Sequence, residues 1–322
     1  MTKARFLETR WPVWERFHLL LEKAERSRVP RFSGEEVSEF SRLFRSLCYD
    51  LATVRSHDWG RDLERYLNDL VARGHNNFYR SPPGRPREVL QFFVAEFPRL
   101  LRANIAYFWV ALVLFVLPGA ISGVVVWHDP SWASRVLPGH ILVSIEDMYS
   151  EELPREDRGG MEAGMAGFYV HNNVGIAFRC FATGIFFGAG TIFFLIYNSI
   201  FIGTITGYLI AHGHSERFLS FVISHGAFEL TAIVISGAAG LVIGHSLLNP
   251  GQYTRGEALK RRGLVGVKLA IGAGGMLAVA ALVEAFWSPS SAPPLAKYIV
   301  GSGFWVLVTL YLSLAGRGAS AE

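Results

Sequence analysis

The sequence lacks the short motifs that mark the common nucleotide-binding and hydrolytic sites. It contains no G-x-x-x-x-G-K-[ST] phosphate loop, no G-x-G-x-x-G fingerprint, no H-E-x-x-H pair, no C-x-x-C and no G-x-S-x-G elbow. The chain therefore shows no energy-coupling site and no standard hydrolase site of its own. This pattern favours a protein that is not an enzyme.

Cysteine is scarce, and within residues 1–90 neither sign of charge is concentrated in one stretch. Cys48 falls in a charged region and Cys180 in an apolar one, so we expect no disulfide between them. Residues 1–90 hold 17 Lys or Arg against 13 Asp or Glu, and the net charge of the chain is +4. Interspersed charges of this kind are typical of a solvated cytoplasmic surface and do not indicate nucleic-acid binding.

Apolar residues are abundant and make up 51% of the 322 residues. They are concentrated after Ile105 in blocks long enough to cross a bilayer. The N-terminus is charged, so we expect no cleavable signal peptide. The sequence predicts an all-α protein, an N-terminal cytoplasmic helical bundle followed by a polytopic helical membrane domain. The predicted parts are a helical domain at 1–86, an interfacial helix at 87–103, a transmembrane domain at 104–316 and a cytoplasmic tail at 317–322.

Three amphipathic helices are predicted in the N-terminal domain. The first opens at Pro12, and the second follows a Ser-x-x-Glu capping box at Ser33 and Glu36. The third covers 59–79, and a proline-rich linker follows at 81–86. Each helix carries one apolar stripe, so the three stripes can bury one another in a small bundle.

About six membrane spans are predicted. They cover 105–127, two crossings within 171–212, then 217–248, 264–287 and 296–315. The apolar stretch at 171–212 is too long for one crossing and has to break, either at Gly188-Ala189-Gly190 or at Asn198-Ser199. The loop at 128–170 has eight Asp or Glu against three Lys or Arg, whereas the loop at 249–263 is basic. The positive-inside tendency therefore places both termini in the cytoplasm.

Glycines recur four residues apart in three of the apolar stretches. The pairs are Gly184/Gly188, Gly203/Gly207 and Gly240/Gly244. This spacing allows two helices to approach closely in lipid. The pattern favours close packing within the bundle or between subunits, and it does not distinguish the two.

The predicted span at 217–248 carries two ionisable residues, His225 and Glu229. They lie four residues apart, so their side chains share one face of the helix. Glu229 is about 18 Å from Arg217 along the axis, near the middle of a hydrocarbon layer of about 30 Å. An ionisable group at that depth has to be neutral, paired or in contact with water, and it indicates a functional site.

Three interpretations of this pair remain open. The pair can be a polar lock between helices, the lining of a wet transport cavity, or part of a metal or acid–base site. A zinc site needs three or four ligands, and the sequence offers His171, His212 and His214 beside the pair. Zinc is thus the candidate cofactor, with His225, Glu229 and His171 as its candidate ligands.

Other polar residues in the apolar stretches are candidates for the same site. Asn172 and Asn173 begin the second span, and Arg179 follows about two turns later, where we expect it to pair with Glu229. Asn198 is expected to form a hydrogen bond across helices. Glu284 lies near the outer end of the fifth span, where we expect it to reach water.

Several segments together resemble the stage II sporulation protein M family of membrane proteins. In the membrane part they are HNNVGIAFRCFATGIFFGAGT, YNSIFIGTITG, SHGAFELTAIVISGAAGLVIG, NPGQYTRGEAL and VEAFWSPS. In the N-terminal part, FLETRWPVWERFHLLL, LFRSLCYDLATVRS and YLNDLVARGHNNFY are similar to members with a helical extension. The chain departs from the family at Asn198-Ser199, where Asn-Gly is usual.

The resemblance implies an integral cytoplasmic-membrane protein with a bundle of about five or six helices. In spore formers the family member works with peptidoglycan-processing partners, and relatives elsewhere often accompany MoxR-type ATPases and von Willebrand A-type proteins. The residues to which the resemblance draws attention are Asn172, Asn173, Asn198, His225, Gly226, Glu229 and Glu284.

We therefore expect a non-enzymatic component of a cell-envelope or membrane-remodelling assembly in the bacterial inner membrane. The expected partners are membrane lipid, a second copy in a homodimer, and an envelope-assembly or cytoplasmic ATPase-type protein. The alternatives are a channel or transporter with a polar midplane site at His225 and Glu229, and a metal-dependent membrane hydrolase.

Overall fold

The computed structural model describes residues 2–26, 32–78, 86–149 and 172–318. Within them all regular structure is helical, which confirms the predicted all-α class. The chain divides into two compact units, residues 1–89 and 90–322. The predicted linker, except Pro86, and residues 150–170 of the predicted acidic loop lie outside the described residues.

The first unit is a bundle of three helices. They are α1 at Lys3–Arg26, α2 at Gly34–Ser56 and α3 at Arg61–Phe78. The predicted capping box is present, with Ser33 and Glu36 each accepting a hydrogen bond from the other's backbone N–H. The predicted start at Pro12 is wrong, because α1 continues through this proline. Phe6 lies before it and Trp14 after it, and both side chains are buried in the bundle core, which holds the helix together across the proline.

A buried carboxylate joins α1 to α2 in this unit. Asp50 is 3% exposed and accepts hydrogen bonds from Trp14 Nε1 at 2.8 Å and from Arg10 Nε at 2.8 and 3.0 Å. Arg10 also donates to the Ser46 hydroxyl. A charge this deep is stable only when it is paired and hydrogen-bonded, so these contacts fix the register of the two helices.

The second unit holds all the long apolar helices. Its elements are α4 at Pro86–Gln91, which begins at the end of the first unit, a π-helical turn at Phe92–Glu96, α5 at Phe97–Ala103, α6 at Ile105–His128, a 3₁₀ turn at Pro130–Trp132, α7 at Ala133–Val136, α8 at Gly139–Tyr149, α9 at 172–182, a 3₁₀ turn at Thr183–Ile185, α10 at Ala189–Ala211, α11 at Ser215–Leu248, α12 at Arg255–Phe286 and α13 at Pro294–Leu314.

Five of these helices are long and apolar enough to cross a membrane, among the residues that the structure describes. They are α6, α10, α11, α12 and α13. The sequence predicted six, and the remaining one, the first crossing predicted within 171–212, falls on α9, which the structure describes only from residue 172 to residue 182. The break predicted at Gly188 is confirmed, since Phe187 and Gly188 both have positive φ. The alternative break at Asn198 is wrong, because Asn198 lies inside α10.

The direction of α6 and α10 requires the chain to cross back between them. Gly119 of α6 lies against Ser199 of α10, and Gly123 lies against Gly203, so the two helices are parallel. The chain between them has to return to the side on which α6 begins. Residues 172–188 are the described part of that return, a helix followed by a turn.

The helix α11 is the centre of the second unit. Its apolar window is 89% buried, against 39% for α10 and α12 and 17% for α6 and α13. Small residues allow this degree of burial, because without side chains backbones can approach closely. Gly240 of α11 lies against Gly184, and Gly244 lies against Gly188.

The paired glycines predicted from sequence are therefore used within the chain. The pair Gly184/Gly188 lies in the turn after α9, and it and the pairs in α10 and α11 each face another backbone of the same unit. In particular, a Cβ on Gly203 would lie 2.1 Å from the carbonyl oxygen of Gly119. The spacing thus reports packing inside the bundle, and these faces are not open to a second subunit.

The segment before α6 packs into the bundle through its aromatic rings. Phe97 is fully buried and fills the space over Gly272 of α12, and Phe93 lies over Gly275. The sequence placed these rings in an interfacial helix. The structure turns them inward, because the two glycines of α12 leave recesses that accept them.

We expect Gly203→Ala to reduce the stability of the membrane unit by about 1–3 kcal/mol, since the added methyl has to displace the α6 backbone. Gly274→Ala is the matched control. A Cβ at Gly274 meets nothing within 4 Å, so the same substitution there should be neutral or slightly stabilising. Thermal unfolding of the purified protein in detergent measures both, and equal losses would contradict the close helix contact.

We expect Asp50→Asn to weaken the first unit by about 3 kcal/mol, because the amide leaves the Arg10 guanidinium without its buried partner. Glu39→Gln is the control, since Glu39 pairs with Arg16 at an exposed site, where the loss of an ion pair should have little effect on stability. Hydrogen exchange on the full chain separates this unit from the other. Equal protection in the two variants would show that Asp50 is not a structural anchor.

Candidate functional site

The helix α11 places His225 and Glu229 one turn apart on its buried face. Their side chains are 7% and 10% exposed, and His225 Nε2 lies 3.8 Å from Glu229 Oε2. The shared face predicted from their spacing is confirmed. Phe221 packs edge-on against the His225 ring, with ring centroids 5.1 Å apart.

Asn173 connects α9 to this pair. Its side-chain Nδ2 donates a hydrogen bond to Glu229 Oε1. Asn172 extends the connection, since its Nδ2 lies 3.4 Å from Asn173 Oδ1. The two amides that the sequence placed at the start of the second span are thus linked to Glu229, Asn173 directly and Asn172 through Asn173, and they fix α9 against the central helix.

The turn between α12 and α13 closes the other side of the pair. Ser288 is completely buried, and its hydroxyl lies 3.1 Å from His225 Nδ1. Lys297 Nζ donates to the Ser288 carbonyl oxygen at 2.7 Å, which ties the start of α13 to the same turn. Sequence reasoning missed Ser288, because an uncharged turn rich in serine and proline indicates only a loop.

Glu284 of α12 belongs to this group. It is 2% exposed and lies close enough to Glu229 for the two acidic groups to interact electrostatically. The expectation that Glu284 reaches water is wrong, because the last turn of α12 packs against α11. We refer to Asn172, Asn173, His225, Glu229, Glu284 and Ser288 together as the polar cluster.

Arg179 is not part of the polar cluster. It follows Asn173 by six residues on α9, which places the two side chains about 120° apart around the helix axis. The structure leaves Arg179 exposed, with its guanidinium over Gly175. The predicted ion pair with Glu229 is therefore wrong, and Asn173 is the partner that α9 supplies.

Asn198 does not contribute the cross-helix bond expected of it. Its side chain is buried and donates to the Phe194 carbonyl of its own helix at 2.7 Å. The adjacent Ser199 makes the contact between helices, donating to the Phe115 carbonyl of α6. Asn198 and Ser199 are adjacent in α10, so their side chains point about 100° apart around the helix axis, and only Ser199 faces α6.

Gly226 lies between the two ionisable residues and is buried, yet its lack of a side chain is not needed for packing. A Cβ there would be 3.6 Å from Val222 and 3.7 Å from Leu230, both on the same helix. These are ordinary contacts. The structure therefore gives Gly226 no specific role beside His225 and Glu229.

The described residues do not assemble a metal site. Among them, no group of three or more His, Cys, Asp or Glu side chains could hold a metal ion. His171 lies outside the described residues, and His212 is exposed with its Nδ1 2.8 Å from its own helix at the Tyr208 carbonyl. A zinc centre on His225 and Glu229 has no third ligand in this part of the chain.

The fold and the polar cluster define a polytopic helical membrane protein with a buried polar centre. Residues 110–289, or 180 of the 322 residues, match the family described as stage II sporulation protein M. The chain belongs to this family, as its segments indicated. The matched range includes every residue of the polar cluster.

A second family model matches the first unit. Residues 4–80 match a family described only as a domain of unknown function (DUF8413). No curated protein matches the chain, and no solved structure matches it. The family assignment therefore gives the class of membrane protein and leaves its activity to be argued from the site.

We expect the Asn173–Glu229 contact to appear as a coupling of about 1 kcal/mol in a double-mutant cycle of Asn173→Ala and Glu229→Ala. The control cycle uses Arg179→Ala with Glu229→Ala and should be additive within about 0.3 kcal/mol. Both cycles are measured by unfolding in detergent. A larger coupling for Arg179 than for Asn173 would reinstate the ion pair predicted from sequence.

Proposed function

We propose that this protein is a non-enzymatic component of a cell-envelope or membrane-remodelling assembly in the bacterial inner membrane. The membrane unit is the scaffold of that assembly, and the polar cluster is the lock that fixes its helices. The helical first unit provides the contact for a partner, an envelope-assembly protein or an ATPase-type protein of the cytoplasm.

The observation that carries this proposal is the closure of the polar cluster. His225 and Glu229 are bonded to side chains from α9 and from the turn after α12, and Lys297 of α13 joins the same turn. The side chains of His225 and Glu229 are at most 10% exposed. Polar groups that satisfy one another between helices fix one arrangement of a bundle, as a scaffold requires.

We propose further that both termini lie in the cytoplasm, an orientation that rests on charge. Arg102 donates to the carbonyl groups of Leu312 and Ala315, so the start of α6 and the end of α13 lie on one side of the unit. The basic start of α12, with Lys260, Arg261 and Arg262, favours the cytoplasm for its own side. The homodimer stays a prediction, and it would have to form through a face other than the paired glycines.

A transporter is the second candidate, and one feature favours it. The helix α9, the turn at 183–188 and α10 form a discontinuous helix beside a buried acidic residue, an arrangement that many transporters use at a substrate site. In that case Glu229 would exchange partners during transport, and the closed polar cluster would be one of two states.

Glu229→Leu and Glu229→Gln separate these functions, with Arg179→Gln as the control outside the cluster. For a scaffold, we expect Glu229→Leu to lower the unfolding temperature and to reduce the partner recovered by crosslinking in native membranes. Glu229→Gln keeps an acceptor for Asn173 and should lose less, and Arg179→Gln should resemble the wild type.

Flux through proteoliposomes is the opposing measurement. A scaffold should leave proton and ion flux at the level of empty liposomes in all variants. A pH-dependent flux in the wild type that Glu229→Gln abolishes, while the unfolding temperature is kept, would establish the transporter and overturn the scaffold.

A further inference from the structure

Glu284 is a buried carboxyl group without a partner. It is 2% exposed, and it forms no hydrogen bond and no ion pair with another residue in the part of the chain that the structure describes. The other ionisable members of the polar cluster differ from it, because Glu229 accepts from Asn173 and His225 contacts the Ser288 hydroxyl. An ionised carboxylate at this depth is strongly disfavoured unless a cation or a hydrogen-bond donor accompanies it.

The end of α12 holds Glu284 beside the two ionisable residues of α11. Ser288 follows Glu284 by four residues, and its backbone N–H donates to the Val283 carbonyl at 2.9 Å, which keeps this turn on the end of the helix. The Ser288 hydroxyl lies 3.1 Å from His225 Nδ1, and His225 Nε2 lies 3.8 Å from Glu229 Oε2. The two carboxyl groups interact electrostatically. The polar cluster thus brings two acidic groups to one histidine.

Neither carboxyl group forms an ion pair with a lysine or arginine among the described residues. Lys297 of α13 faces the same turn, where its Nζ donates to the Ser288 carbonyl oxygen at 2.7 Å. Arg179 of α9 is exposed, and Lys268 of α12 is paired with Glu96. The described neighbours on α9, α11, α12 and α13 therefore bring one histidine, and no lysine or arginine, within ion-pair distance of the two acidic groups.

The charges of these three groups do not cancel if both carboxyl groups are ionised. A histidine carries at most one positive charge, whereas two carboxylates carry two negative charges. One negative charge would therefore stay uncompensated in the polar cluster, whichever form the histidine takes. Two acidic groups that share a buried site avoid this by binding a proton, because a neutral carboxyl group donates a hydrogen bond instead of carrying a charge.

We propose that Glu229 and Glu284 hold one exchangeable proton between them, with Glu284 as the group that carries it. Glu229 is the better acceptor, because the Asn173 amide already donates to it. Loss of the proton would leave two negative charges on the facing helices α11 and α12 and would weaken their contact. The polar cluster is thus a lock that depends on a bound proton, a property compatible with a scaffold and with a transporter.

The first test measures chemical unfolding of the full chain in a neutral detergent between about pH 5 and about pH 8. In the unfolded chain both carboxyl groups reach water and are ionised over most of this range, since a glutamate in water has a pKa of about 4.3. The folded protein then binds one more proton than the unfolded chain, so its stability has to fall as the pH rises. We expect the pair to contribute about a tenfold change in the unfolding equilibrium constant per pH unit, until the folded protein releases the proton.

Glu284→Gln separates this contribution from that of the other titrating groups. Glutamine is neutral at every pH, so the variant should lose the tenfold dependence while it stays folded at both ends of the range. Glu257→Gln is the matched control, because Glu257 is an exposed glutamate at the start of the same helix. It should keep the pH dependence of the wild type. The same pH dependence in Glu284→Gln as in the wild type would overturn the proposal.

Infrared spectroscopy of the wild type reports the proton directly, even if Glu284→Gln does not fold. The carbonyl stretch of a protonated carboxyl group is separate from the bands of a carboxylate. We expect the band of one protonated carboxyl group near neutral pH, and it should shift in heavy water because the proton exchanges. Glu284→Gln should remove the band, since His225 can offset the charge of Glu229 alone. A wild type without the band would contradict the proposal.

Sodium is the alternative occupant of two facing carboxyl groups. The unfolding temperature is compared in sodium chloride and in choline chloride at equal ionic strength, and the proton predicts equal values for the wild type. A stabilisation by sodium that Glu284→Gln abolishes would assign the site to a metal cation and would overturn the proton. The scaffold is tested by partner recovery and flux, so it and the bound proton can fail separately.

Discussion

The burial of two ionisable side chains on α11 is the constraint on which the second unit depends. His225 and Glu229 lie in the helix with the largest buried share, so neither can turn to solvent. A group that has lost water needs a protein partner, and each neighbour of α11 on this face supplies one. Asn173 and Ser288 are placed by that requirement, and with them the positions of α9 and of the turn after α12.

Close glycine contacts set the distance between the helices, which the polar groups do not. Gly184 and Gly188 bring the α9 segment against Gly240 and Gly244. Contact between backbones sets a distance but specifies rotation poorly, since a glycine surface is nearly featureless. The bond from Asn173 to Glu229 sets the rotation of α9, because only one face of that helix carries the amide. Distance and rotation are thus fixed by different residues of the same short segment.

The sequence was sufficient for the properties that depend on periodicity and composition. It predicted the helical class, the three-helix first unit, the shared face of His225 and Glu229, and the break at Gly188. It was insufficient where the answer depended on rotation between helices. Arg179 was paired with Glu229 because both are charged residues within predicted spans. Arg179 lies six positions after Asn173 on α9, and its side chain is exposed. Ser288 was overlooked because it lies in a turn, where no helical periodicity in the sequence marks a buried residue.

The segment 172–188 connects these results to the family. It lies against α11 through Asn173 and through Gly184 and Gly188. Its other side carries exposed apolar side chains, among them Phe178 and Phe186. Since the family match at 110–289 contains α9, its break and all its partners in α11, this discontinuous crossing lies within the part of the chain that defines the family. A rigid scaffold and a transporter would both require it, and they differ only in whether the Asn173–Glu229 bond ever opens.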